Sequence, residues 1–157
     1  FVPGLYSEDQ EWTPRLFSLD VKMGSNENPG YLYREGRAGS IVTARKPEQV
    51  EVLFTLYQEW FDRFGNDSSL DVRFRNALKN EAARRSVEEL YKHIERLDGE
   101  DLVTVEEIVD RHRDLFVPRE SMAFREKVLS FFVRVFGARS AAKITRWLIQ
   151  WRNKGKH

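Results

Sequence analysis

Residues 47–65 read PEQVEVLFTLYQEWFDRFG, and the pattern within them decides the fold class. Val50, Leu53, Phe54, Tyr57, Trp60, Phe61 and Phe64 recur at spacings of three and four, the period of one helix face. Pro47 suits a first helical turn, where its missing N–H costs nothing, and Gly65 suits a left-handed cap. The stretch predicts a helix with an aromatic-rich buried face.

The same grammar continues toward the C-terminus. Ser69 is expected to cap a second helix on Leu70, Phe74, Ala77 and Leu78. Ser86 with Glu89 forms a capping box for a third on Leu90, Tyr91, Ile94 and Leu97, although the second and third also read as one bent helix. Thr104 with Glu107 repeats the box before Val105, Ile108, Val109, His112, Leu115 and Phe116, a helix stopped ahead of Pro118. Ser121 is expected to cap a fifth. In it Phe124, Val128, Leu129, Phe131, Phe132, Val135 and Phe136 cover more than half the circumference at about 100° per residue before Gly137. So wide an apolar arc predicts a central helix. Ser140 opens the last helix, which runs to about residue 153.

Toward the N-terminus the character changes. Residues 1–46 hold three of the five prolines and most of the glycines. Phe17, Leu19, Val21 and Met23 alternate with polar residues as a half-buried strand does, and GSNENPG at 24–30 is turn chemistry ahead of Tyr31, Leu32 and Tyr33. The expected fold is all-α, a bundle of five or six helices over residues 47–153. An irregular N-terminal arm with a short β-ribbon over 1–46 precedes it, and a basic tail, 154–157, follows. Phe54, Trp60, Phe61, Phe74, Tyr91, Phe132 and Leu148 are the expected core.

With 157 residues, 41% hydrophobic and 32% charged, the chain has the composition of one globular domain. It has no Cys, which removes disulfides, thiol nucleophiles, thiolate zinc sites and iron–sulfur clusters and leaves the compartment open. No apolar run reaches bilayer-spanning length, so a soluble protein without a membrane partner is expected. Opening on Phe1 rather than Met, it reads as a processed or excised piece.

The net charge of +1 conceals an uneven distribution. Residues 86–118 carry 4 basic and 10 acidic side chains, whereas residues 119–157 carry 10 basic against Glu120 and Glu126 alone. Such asymmetry points to a polyanion partner, or to docking of the basic segment on the acidic one. In the last helix Ile144, Leu148 and Trp151 share an apolar face, and Arg139, Lys143, Arg146 and Gln150 line up beside it with Trp147 on the border. Arg and Lys meet phosphates and Trp stacks on bases, so Arg139, Lys143, Arg146, Trp147, Arg152 and Lys154 form the candidate nucleic-acid site. Arg146 and Lys143 are expected to face solvent. Weaker basic sets occur at Arg73, Arg75, Lys79, Arg84 and Arg85, and at Arg34, Arg37, Arg45 and Lys46 with Tyr31 and Tyr33.

Catalytic signals are thin. His112 reads as a half-buried core histidine, and Glu89 with His93, four apart, lacks the further ligands of a metal site. Neither GxGxxG, GxxxxGKS, GxSxG nor a DxDxDG loop occurs, and HRD at 112–114 lacks every other part of a kinase signature. No catalytic residue, metal or cofactor is expected. The residues favour a non-enzymatic binder of single-stranded RNA without sequence preference, a coat protein or nucleoprotein that assembles with copies of itself through its N-terminal arm. The alternative is a helical interaction module or effector that docks a protein partner.

Overall fold

A computed structural model describes residues 8–19, 22, 24, 47–97 and 99–154, with the side chains of residues 8, 95, 96 and 148–154 excepted. Among the described residues there are six helices and no strand, and the bundle is all-α. They are α1 (Glu8–Phe17), α2 (Pro47–Glu59), α3 (Val72–Arg96), α4 (Gly99–Arg111), α5 (Phe124–Phe136) and α6 (Ala138–Lys154).

The stretch around Pro47 forms α2 as its periodicity requires, burying Val50, Leu53, Phe54, Leu56 and Tyr57. It then widens into a π-helical turn, Trp60–Phe64, closed by the Gly65 N–H bonding Trp60 O at 2.9 Å. The wider turn lets Trp60 and Phe64 both point inward. Gly65 is not the left-handed cap expected of it, since its φ is −68°. Its reason is space: a Cβ there would sit 2.5 Å from the Phe61 carbonyl oxygen.

The second and third helices are one, α3, and it begins at Asp71. The Asp71 carboxylate accepts from the Arg73 and Phe74 N–H groups at 2.8 and 3.3 Å. Ser86 lies inside α3 rather than at its start, fully buried, its Oγ donating to Ala82 O at 2.8 Å. Ala82, Ala83, Val87, Leu90 and Ile94 carry one buried stripe through the supposed cap. Arg84 and Arg85 both bond Glu81, adding pairs of helical spacing. This helix contacts α2, α4, α5 and α6, so α3 is the axis of the bundle.

Helix α4 starts at Gly99, ahead of the expected Thr104, whose hydroxyl instead donates to Glu100 O at 3.1 Å. Leu102 belongs to the same buried period as Val105 and Val109. Ser121 does not cap α5; the cap is Ala123, whose N–H is held by the Glu126 carboxylate at 2.8 Å. Gly137 ends α5 as expected, at φ 84° and ψ 165°. Helix α6 follows at once, and its first N–H, from Ala138, bonds Asp110 of α4 at 2.9 Å.

At the N-terminal end, residues 8–17 are helical where an irregular arm leading into a strand was expected, and Phe17 closes α1 instead of opening a ribbon. Glu8, Asp9 and Glu11 suit a helix start and Arg15 pairs with Glu11 at 2.7 Å, while Pro14 lies within the helix and removes one backbone donor. The Tyr57 hydroxyl bonds Gln10 Oε1 at 3.2 Å, tying α1 to α2. The expected turn and ribbon over 25–46 lie outside the described residues.

Of the expected core, Phe54 and Trp60 are buried, while Phe61, Tyr91 and Phe132 pack half-buried against it. Phe74 is also half-buried, and Leu148 lies among the side chains outside the description.

Candidate docking face on α5 and α6

Helix α5 is apolar on two opposite sides. At about 100° per residue, Leu129 and Val133 project one way and Phe124, Val128, Phe131 and Val135 project roughly 180° from them. Leu129 is 6% exposed and Val133 fully buried. On the other side Phe124 is 82%, Phe131 52% and Val135 51% exposed. The wide arc that predicted a central helix is therefore two stripes, and α5 lies at the edge of the bundle with one of them facing solvent.

Phe132 joins the two sides. Its ring meets Phe131 edge-on at 6.1 Å and Phe136 at 5.6 Å. Beside it a groove of about 560 Å³ opens between α3, α5 and α6, walled chiefly by Val87, Tyr91, Val128, Leu129, Phe132 and Ile144. Phe136 and Trp147, 57% and 62% exposed, extend the apolar surface.

Cations edge the outer stripe of α5. Lys127 and Arg134 flank it on one side; Arg125 flanks it on the other, its guanidinium 5.8 Å from the Tyr91 ring centre. None of the three, nor Lys143 of α6, forms an ion pair with a described carboxylate. Glu126, the acidic residue between them, is occupied in holding the start of its own helix.

The expected phosphate-binding stripe on α6 is divided. Lys143 and Trp147 are exposed and one turn apart. Arg139, though 62% exposed, pairs with the buried Glu106 of α4 at 3.2 Å. Arg146 does not face solvent: its guanidinium turns to the end of α3, bonding Ile94 O at 3.1 Å and also Leu97 O. Carbonyls left bare at a helix C-terminus attract a cation, and a helical wheel drawn for α6 alone cannot include them. Arg152 and Lys154 lie on the backbone of α6, with side chains outside the description. Part of the basic segment thus docks on the acidic one, through Arg139 with Glu106 and Ala138 with Asp110.

Most of the other described candidates are engaged by neighbouring residues. The His112 ring packs 5.9 Å from that of Phe54, with Nε2 3.6 Å from Glu51 Oε1. His93 is buried, its Nδ1 2.6 Å from Glu89 O, and the Glu89 carboxylate pairs with Lys92 at 3.0 Å. Among the described residues no three His, Asp or Glu side chains gather as a metal site would need. Arg73 pairs with Asp71, Lys79 bonds Asn66, and Arg84 and Arg85 share Glu81. The set with Tyr31, Tyr33, Arg34, Arg37, Arg45 and Lys46 lies outside the described residues. No described helix is long and apolar enough to cross a membrane. Compared with protein-family models, with curated proteins and with solved structures, the chain matches none, so its function is argued from this surface.

Proposed function

We propose that the chain is a protein-docking module that receives a helix of another protein on the outer face of α5. One observation carries the reading: Phe124, Phe131 and Val135 stand exposed on the side of α5 opposite its buried Leu129 and Val133. Two large aromatic rings and a branched side chain left in water at helical spacing favour burial against a partner, at roughly 25 cal/mol for each Å² removed from water. Phe124, Val128, Phe131 and Val135 step by four, three and four, the spacing with which one helix seats another. Phe132 and the adjoining groove supply depth for a larger anchor.

The test is to pan a displayed library of amphipathic helices, spanning acidic, neutral and basic members, against the protein and against Phe131→Asp/Val135→Asp. The expected result is enrichment of helices that bind the first and lose the second, with the circular dichroism of the variant unchanged. Equal recovery on both proteins overturns the reading.

Single-stranded RNA is the second reading, favoured by the exposure of Trp147 beside Lys143. An indole next to unpaired cations is a surface on which bases stack. If RNA is the ligand, anisotropy of a labelled strand falls steeply between about 50 and 200 mM salt, and Lys143→Glu/Trp147→Ala abolishes binding. Binding insensitive to both rules it out.

A further inference from the structure

We infer that the helix received by α5 belongs to a different protein and carries acidic residues along both edges of its apolar stripe. The inference rests on the docking reading above and adds the chemistry of the occupant. In the repeat set by Val128 and Val135 at one seam position and Phe124 and Phe131 at the other, the residues beside the seam are Arg125 and Phe132 on one edge and Lys127 and Arg134 on the other. Every charged group at these positions of α5 is a cation that pairs with no described carboxylate, while Glu88 and Glu126, which line the adjoining groove, are engaged by Arg84 and by the Ala123 N–H. Edge positions are the ones that choose the partner in paired helices, because they meet the partner's own edges once the seam closes.

That charge pattern argues against a second copy of the chain closing the face with its own α5. Two α5 helices packed seam to seam would set Lys127, Arg134 and Arg125 against the same three cations, and like charges at edge positions oppose pairing. The basic residues of the 34–46 segment argue against that part of the chain in the same way. An acidic-edged helix instead pairs with each cation while its large apolar residues cover Phe124, Phe131 and Val135. The exposed stripe runs from Phe124 to Val135, twelve residues and about 16 Å of helix, so three turns of partner helix suffice.

The experiment uses the full chain and two synthetic peptides of about 21 residues, three heptads long, with Leu at both seam positions of every heptad and either Glu or Lys at all six edge positions. Fluorescence polarisation gives each affinity, and sedimentation equilibrium of the chain alone gives its self-association. The Glu peptide is expected to bind about tenfold more tightly than the Lys peptide. That gap is expected to close in about 0.5 M salt, and Lys127→Glu/Arg134→Glu is expected to reverse the preference.

Equal binding of both peptides, lost in Phe131→Asp, overturns the acidic partner and leaves the docking face standing. A dimer of the chain that Phe131→Asp dissolves does the same, since the face is then closed by a second copy. If neither peptide binds and the chain is monomeric, both readings fall. Binding of labelled single-stranded RNA with neither peptide bound, abolished by Phe131→Asp, also overturns both.

Discussion

Gly137 shows how much one residue decides. Its φ of 84° and ψ of 165° lie in a region that essentially only glycine occupies, and there the chain turns from α5 into α6. The missing side chain also makes room for Arg113, whose Nη2 lies 2.5 Å from the position a Cβ would take. Arg113 bonds the Asp110 oxygen that accepts the first N–H of α6. Gly137→Ala is therefore expected to cost about 1–3 kcal/mol, mostly backbone strain, measured as a shift in the urea midpoint. A loss under a few tenths would mean that the turn relaxes to an ordinary conformation. That a glycine ends the fifth helix was legible in the sequence; the space it leaves for Arg113 was not, because Arg113 arrives from another element.

At the scale of the element, α3 depends on its first turn. The N–H groups of Arg73 and then Phe74 hold the Asp71 carboxyl below its ordinary value of 3.8. Glu81, half-buried at mid-helix, is lowered from 4.5, first by its bond from Arg84 and then, against the opposing effect of burial, by Arg85. A group whose folded value is depressed stabilises the fold in full above its unfolded value and loses that contribution as pH falls through the folded one. Thermal stability is accordingly expected to fall below about pH 4.5, as the Glu81 and Asp71 contributions are lost. Asp71→Asn keeps an acceptor at the cap, so at neutral pH it should lower the melting temperature only slightly, and it should flatten the acid side of the profile. Parallel profiles for the two proteins would show that the cap charge does not stabilise α3. The cap was placed at Ser69 in the sequence, two residues early, and Ser86 passed for a second start. Both are serines near apolar runs, and only the backbone geometry distinguishes a cap from a buried Ser bonding the preceding turn.

Across the whole molecule, Arg146 links the last helix to the end of the third, which makes its role separable from that of Lys143. Arg146→Met keeps much of the stem but removes the guanidinium from Ile94 O and Leu97 O, and is expected to cost about 1–3 kcal/mol. Lys143→Glu, on the exposed side of the same helix, should leave the unfolding midpoint unchanged. Denaturant unfolding of the two variants checks both, and an unchanged midpoint for Arg146→Met would mean that these carbonyls are equally well satisfied by water. The same contrast explains why the candidate site was only half legible. Spacing put Arg139, Lys143, Arg146 and Trp147 on neighbouring lines of one helix, but which cations remain free depends on Glu106 and the end of α3, distant in the chain.

What the sequence by itself determined is local: the helical period from Pro47 onward, the break at Gly137, and the concentration of positive charge after Arg119. Periodicity, backbone freedom and composition are properties of near neighbours, and near neighbours are what a sequence lists in order. Only the tertiary structure decided that α3 and not α5 is the axis, and that the apolar arc of α5 divides into a buried and an exposed stripe. It alone also turned Arg146 inward. Burial is a relation between elements far apart in the chain: a helix with apolar residues on two sides reads the same whether both sides are covered or one is left to face water.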